Sequence, residues 1–354
     1  MISVDRSAVH GKPDKQGLLA LFVVVLMLLV TACERPTEVQ RFGGATMGTQ
    51  WSVQVGELPV GVSVERLQSD VENLLQMIND QMSNYQEDSL VSRFNALPAG
   101  EELIVPPDFA QVLATALDLA EQTSGAYDPT AGALVNAWGF GPEGRRETPP
   151  GEDEIAAALA KTGWQELPFD RQSRVLTQPG GFQLEFGSIA KGYAVDRIAT
   201  HLDQLGIDSY LVAIAGDMRL SGNKPDGEPW RIAVERPVAG QRAVHTVIAP
   251  GDGAISTSGD YRNFFRDQGR EYAHIVDARD GQPLTHELAS VTVLHERAGM
   301  ADPLATAIFV LGPEEGLAFA ERNDLAVFLI IRGAEGFRER MTPAFARHLE
   351  PEIE

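Results

Sequence analysis

Residues 124–142, SGAYDPTAGALVNAWGFGP, cannot form one regular element. Gly125, Pro129 and Gly132 break any helix laid through the first half, and Gly139 and Gly141 alternate with Trp138 and Phe140 in the second. Glycine and proline punctuate turns, whereas Tyr127, Trp138 and Phe140 each carry a large ring that needs covering. Two readings follow. The segment is either a tight turn capping a core or a loop wrapped around a flat partner.

The N-terminus adds a second constraint. Arg6, Lys12 and Lys15 precede an apolar run over residues 18–30, and Thr31-Ala32-Cys33 follows. A charged leader, a short apolar stretch and small residues before a cleavage point describe a secretory signal peptide. The run is short for a membrane span. Cys33 is the single cysteine of the chain, and its small-small-Cys context is where a lipoprotein carries lipid on its first mature residue. The alternative is an uncleaved anchor with an incidental cysteine. The expected organisation is a signal peptide over 1–32, a lipidated tether over 33–41 and one domain over 42–354. Such a protein is lipid-anchored to a membrane and faces the periplasm or another extracytoplasmic side. With Cys33 lipidated, no thiol remains for a disulfide, a metal or catalysis.

Loss of residues 1–32 removes three basic and two acidic side chains and takes the net charge from −21 to −22. That sign excludes nucleic acid as a partner and keeps the domain off anionic headgroups, leaving the lipid as its membrane attachment. An anionic substrate would need local positive charge from a metal, a lysine or backbone amides.

Leu67, Val71, Leu74, Leu75, Ile78 and Met82 recur at helical spacing behind Ser63, a residue able to cap. Phe109, Val112, Leu113, Leu117 and Ala120 form a second stripe, and a third helix is expected over 188–205, stopping at Gly206. Extended segments rich in β-branched residues fall at 51–55, 210–214, 231–235, 244–248, 272–276, 290–295 and 326–331. Strands cluster in the second half without a regular βαβ rhythm, so the pattern predicts an α+β fold over a doubly wound parallel sheet.

Three short motifs bear on chemistry. Gly187-Ser188 follows the strand-like 182–186 and opens the third helix, so unpaired amides beside Lys191 suit a phosphate, or simply a helix start. Asp302-Pro303 reads as an N-cap with proline at the first helical position. Thr306 then lies one turn on, on the same face. A carboxylate and a hydroxyl so placed can hold a hard cation such as Mg²⁺; equally, Asp302 can cap and Thr306 can bond back to its own helix. His274 falls on the alternating strand 272–276, where a histidine is either structural or available for acid–base work.

Read in order, these pieces form a longer series. It runs Thr46-Met47-Gly48-Thr49; Met82-Ser83-Asn84-Tyr85; Gly125-Ala126-Tyr127-Asp128-Pro129-Thr130 with Trp138-Gly139-Phe140-Gly141; then Ile189-Ala190-Lys191-Gly192-Tyr193 with Asp196. Thr257-Ser258-Gly259-Asp260-Tyr261, His274-Ile275-Val276-Asp277, Ser290-Val291-Thr292-Val293 and Ala301-Asp302-Pro303-Leu304-Ala305-Thr306 complete it. The series resembles the ApbE-type flavin transferases, the FAD:protein FMN transferase family, over about residues 42–331. Many members of that family are lipoproteins.

The resemblance implies a single compact catalytic domain of mixed, mainly antiparallel sheets with packed helices. It implies transfer of the FMN half of FAD to a threonine hydroxyl of an acceptor subunit in a membrane redox complex, with release of AMP. It places Mg²⁺ on Asp302, Thr306 and the main-chain carbonyl of Ala190. It places FAD against Met47, Tyr85, Ala126, Tyr127, Asp128, Ser188, Lys191, His274 and Ile275. His274 is then the better candidate for the base and Asp302 the runner-up, because a carboxylate holding Mg²⁺ accepts protons poorly. The departures are few: Tyr127 stands where phenylalanine is usual, Ala215 where glycine is common, and Ala278 in place of a proline. A metal-dependent FAD pyrophosphatase giving FMN and AMP, and a non-catalytic flavin-binding lipoprotein, are the alternatives.

Overall fold

The computed structural model describes residues 38–349 apart from 239, 241, 242 and 262. The signal segment, Cys33 and the tether up to residue 37 lie outside the described residues. The first strand begins at Gln40, two residues ahead of the domain start expected at 42.

β1 (Gln40–Thr46) and β2 (Thr49–Val55) pair through a two-residue turn at Met47 and Gly48, with φ of 49° and 69°. Positive φ at both central residues is the type I′ geometry whose twist matches a hairpin. Helices α1 (Val64–Met82) and α2 (Leu90–Asn95), β3 (Glu102–Ile104), then α3 (Pro107–Gln122), α4 (Gly132–Ala137) and α5 (Glu152–Leu159) follow. Next come β4 (Phe169–Asp170), β5 (Val175–Thr177) and α6 (Ala190–Gln204). The strands β6 (Tyr210–Ile214), β7 (Asp217–Ser221), β8 (Ile232–Glu235), β9 (Val244–Ile248), β10 (Gly253–Gly259), β11 (Phe264–Asp267), β12 (Arg270–Ala273) and β13 (Leu288–His295) run on from there. α7 (Ala298–Arg322), β14 (Ala326–Gly333), β15 (Gly336–Met341) and α8 (Pro343–Ala346) end the described fold.

Eight strands form one sheet in the order β1-β2-β6-β7-β10-β13-β14-β15, antiparallel throughout. Both of its faces are covered. Val212, Ile214, Val291, Val293, Val327, Leu329 and Ile331 point into the core shared with α6 and α7. Their neighbours Leu211, Leu294, Phe328 and Ile330 point the other way, into a core closed by the β8–β9 hairpin and by Phe345 of α8. Burial on both faces explains why these strands read as continuous apolar runs rather than alternating ones. A third cluster joins α4 and α5 to the β11–β12 hairpin through Leu134, Trp138, Ile155 and Phe265.

Several expectations need correcting. The strand at 272–276 ends at Ala273, so His274 stands in the irregular stretch beyond it, where Val276 makes only an isolated bridge to Pro283. The stretch 182–186 is extended but joins no ladder; Gln183 makes one isolated bridge to Ala131. The third helix begins at Ala190, not at 188. Asp302 is not an N-cap, because α7 already starts at Ala298 and carries Asp302 and Pro303 inside it. Pro303 removes a helix donor, and α7 breaks again at Gly312, whose φ is 80°, just before Pro313. The 124–142 segment turns out to be a turn, the short helix α4 and a second turn. Trp138 is 3% exposed, stacks on Tyr272 at 5.7 Å and donates Nε1–H to the Gly281 carbonyl at 2.9 Å, so it belongs to a core.

A tight backbone joint lies between α6 and α7 at Gly192. A Cβ added there would fall 2.2 Å from the Ala298 carbonyl oxygen and 2.8 Å from Asp302 Cβ. Alanine would gain about 1 kcal/mol of helix propensity at this position, yet forcing the helices apart costs about 1–3 kcal/mol, and more when backbone must move. Gly192→Ala is therefore expected to lower the melting temperature; an unchanged or higher value would contradict the close packing.

Candidate active site

A cavity of about 1150 Å³ opens along one end of the large sheet. Its wall joins the β1–β2 turn, the turn between β6 and β7, the last residues of β10, the start of α6 and the second and third turns of α7 to strand β8. Turn backbones and helix starts leave N–H and C=O groups unpaired, which gives such a wall its polar character.

The charged floor is formed by Lys191, Asp217 and Asp302. The two carboxylate residues are 3% and 4% exposed. Lys191 Nζ donates to the Gly187 carbonyl at 2.6 Å and lies 3.2 Å from Asp302 Oδ2 and 3.4 Å from Asp217 Oδ2. The Gly192 amide donates to Asp302 Oδ2 at 3.1 Å, and Ser256 Oγ donates to Asp217 Oδ1. Burial, and then the charge of Asp217, push the Asp302 carboxyl up against the opposing pull of Lys191. Burial works to lower the Lys191 ammonium, but the charges of Asp302 and Asp217 outweigh it and hold the group protonated. With both carboxylates ionised the floor carries a surplus negative charge over its one ammonium, a state that the raised Asp302 carboxyl resists and a bound cation would favour.

Thr306 lies one turn beyond Asp302 on α7, and its hydroxyl is 3.1 Å from Ser258 Oγ on β10. Asp302 and Thr306 both line the cavity. Among the described residues no group of three His, Cys, Asp or Glu side chains could hold a metal ion. A cation here would therefore rest on carboxylate, hydroxyl and main-chain oxygens. That donor chemistry suits a hard divalent ion such as Mg²⁺, and the surplus negative charge favours one.

His274 is half-buried and lines the same cavity. Its Nδ1 lies 3.2 Å from the Asn263 carbonyl oxygen, which also accepts the His274 amide at 3.1 Å. Donation from Nδ1–H to that carbonyl leaves the lone pair of a neutral imidazole on Nε2. Burial, with Lys191 adding to it, lowers the histidine below its ordinary value despite the Asn263 contact.

Two aromatic groups mark the mouth. Tyr85 is 73% exposed and donates its hydroxyl to the Phe140 carbonyl at 3.1 Å. Phe140 stacks on Phe265 and meets His274 edge-on. Deeper in, the Tyr127 hydroxyl is 3.3 Å from Ser188 Oγ, and burial raises its pKa far above the ordinary phenol value. Asp128 commits Oδ1 to the amide and hydroxyl of Thr130 and Oδ2 to the Trp164 amide, so its carboxylate braces the loop.

Of the residues singled out in the sequence, Tyr85, Ala126, Tyr127, Asp128, Ser188, Lys191, His274, Ile275, Asp302 and Thr306 share the cavity wall. Met47 and Ala190 are not part of it: Met47 packs against the core while Gly48 lines the cavity, and Ala190 opens α6 at 7% exposure. Asp217, Ser258, Asn263 and Glu185 were missed as site residues. The available signal for Asp217 was its place after the Ala215-Gly216 turn between two apolar strands. Ala215 sits at φ 52° and lines the cavity, so the methyl noted in the sequence stands in left-handed backbone that favours glycine.

Comparison with known proteins agrees in sequence and in shape. The sequence model of the ApbE family matches residues 47–329. A Vibrio cholerae FAD:protein FMN transferase is 41% identical over 92% of this chain and 97% of its own length. A Haemophilus influenzae relative of the same description is 38% identical over 95% of this chain and 99% of its own. Among solved structures, the Pseudomonas stutzeri flavinyl transferase ApbE in its apo form superposes with a TM-score of 0.82 at 43% identity, covering 90% of this chain and 98% of that one. The flavin transferase ApbE from Vibrio cholerae gives 0.82 at 40% identity, over 89% and 100%. A match of this extent leaves no room for a different family: the chain belongs to the ApbE family.

Proposed function

We propose that this chain is an FAD:protein FMN transferase that depends on Mg²⁺ and acts on a threonine of a redox-complex subunit, from a lipid anchor at Cys33 on the extracytoplasmic side. The observation that carries the reading is the convergence, on one cavity, of the Asp302–Thr306 pair, Lys191 and a histidine with a free Nε2. Among the described residues no helix is long and apolar enough to cross a membrane.

The reaction is attack by a hydroxyl on a diphosphate. The acceptor oxygen bonds to the phosphorus of the FMN half of FAD, the bond from that phosphorus to the bridging oxygen breaks, and AMP departs with that oxygen. Such a transfer asks the protein mainly for positioning and for charge neutralisation. Tyr85 offers an exposed ring at the mouth for the flavin, and the Lys191 ammonium meets the phosphate charge, since the Gly187, Ile189, Ala190 and Gly192 amides already bond within the protein. Asp302, Thr306 and the Ala190 carbonyl would hold Mg²⁺, which supplies Lewis-acid neutralisation of the charge developing on the phosphates. His274 Nε2 takes the proton of the attacking threonine, while Nδ1–H holds the ring against Asn263.

Incubation with FAD, Mg²⁺ and an acceptor domain carrying a candidate threonine is expected to add one FMN to the acceptor, read by intact-mass spectrometry. The gain should vanish with chelator and with Asp302→Ala. Free FMN and AMP without any gain in acceptor mass would instead mark a hydrolase. His274→Ala is expected to slow transfer about 10²–10⁴-fold with FAD affinity retained; transfer at the parental rate would remove His274 from the mechanism. Since the neutral imidazole is the working form and its pKa is lowered, kcat/KM at saturating Mg²⁺, which would keep Asp302 ionised, should hold as pH falls to 6.5 and decline only below it. A decline centred above pH 6.5 would mean that another group limits the rate.

A further inference from the structure

Asp196 takes no part in the proposed chemistry, yet its carboxylate joins the three elements that carry the charged floor. It lies on α6 beyond Lys191. Its Oδ1 accepts the Ala298 amide at 2.9 Å and its Oδ2 accepts the Gly299 amide at 2.9 Å, so it caps the first turn of α7 from a neighbouring helix. The residue at the natural cap position of α7, Arg297, makes no side-chain cap bond. Oδ1 also accepts Arg219 Nη1 at 3.1 Å, and Arg219 lies two residues beyond Asp217 on β7.

We propose that Asp196 is a positioning residue that sets where Asp302 and Thr306 stand relative to Lys191 and Asp217. This rests on the metal reading of the Asp302–Thr306 pair. The physical basis is that a helix slides and rotates as one body. Amides of a first turn carry the positive end of the helix dipole, and a carboxylate bonded to two of them resists both motions. Asp302 follows one turn beyond those amides, and Gly192 sets the depth of the same contact by letting the Ala298 carbonyl and Asp302 Cβ approach. Gly299 is snug as well, though less tight than Gly192, since a Cβ there would lie 3.3 Å from Asp196 Oδ2 and 3.4 Å from Tyr193 Cα. The helix pair is thus pinned at two points at the N-terminal end of the ligand pair, at Ala298–Gly299 and at Asp302. The link through Arg219 extends the same carboxylate to the strand that presents Asp217.

The test separates positioning from plain stability. Mn²⁺ binding to the full-length chain in detergent is followed by electron paramagnetic resonance, and FAD binding by flavin fluorescence with chelator present. Asp196→Asn is expected to weaken Mn²⁺ binding about tenfold or more, the scale seen when groups that orient metal ligands are removed. FAD binding without metal should stay within about twofold. Asp108→Asn is the control, because it removes the charge that Arg197 and Tyr193 of α6 bond while leaving the Asp196 bonds to Ala298 and Gly299 in place. It should lower the melting temperature while leaving Mn²⁺ affinity at the parental value. Parental Mn²⁺ affinity in folded Asp196→Asn, or an equal loss in Asp108→Asn, would overturn the proposal. Should Asp196→Asn fail to fold, Arg219→Met releases the link from Asp196 to β7, with the Ala298 and Gly299 bonds kept, and is expected to shift Mn²⁺ affinity in the same direction; no shift would overturn it too. A parental chain that binds no Mn²⁺ would instead overturn the metal reading beneath it.

Discussion

Burying Asp302 and Asp217 around Lys191 is the constraint on which the rest of the site depends. Two carboxylates removed from water would be costly unless paired and hydrogen-bonded. Lys191, the Gly192 amide and Ser256 supply those partners. The arrangement is possible only because α6 and α7 approach without a side chain between them at Gly192. A floor of this kind is held in shape before any ligand arrives, so the reorganisation that transferring a phosphoryl group would otherwise demand is largely done in advance.

The sheet explains why the cavity lies where it does. With both faces buried under helices on one side and the β8–β9 hairpin on the other, the free surface of the sheet is at its ends. Turns gather there, and turns tolerate unusual backbone such as Met47 and Ala215 at positive φ. The aromatic segment around α4 joins the same wall through Tyr127 and Phe140, while Trp138 secures it to the β11–β12 hairpin. The reading of that segment as a cap on a core holds for Trp138, whereas Tyr127 and Phe140 line the cavity.

Much of this was legible beforehand. The apolar stripes of α1 and α3 reproduce helical spacing because each helix buries one face. The segments 210–214 and 244–248 match β6 and β9 residue for residue. Of the strands overlooked, β3, β4 and β5 are only two or three residues long, and β1, β7, β10, β11 and β15 are rich in glycine, serine or charge, so pairing partners rather than composition make them strands. The same weakness displaced His274, because alternation continues in sequence past the point where hydrogen bonding to β11 stops.

By itself the sequence determined the α+β class, the family and most of the residues that meet in the cavity, since ordered motifs carry that information residue by residue. It also placed Asp302 and Thr306 on one helix face, because spacing along a helix is a local property. Tertiary structure alone decided that Asp302 lies inside α7 and not at its cap, that Asp217 joins it beside Lys191, and that Asp196 bonds α7 from α6. Those facts depend on how close two helices and a strand end can come. Closeness between distant segments is set by packing, through the absence of a side chain at Gly192, and no local pattern of residues encodes it.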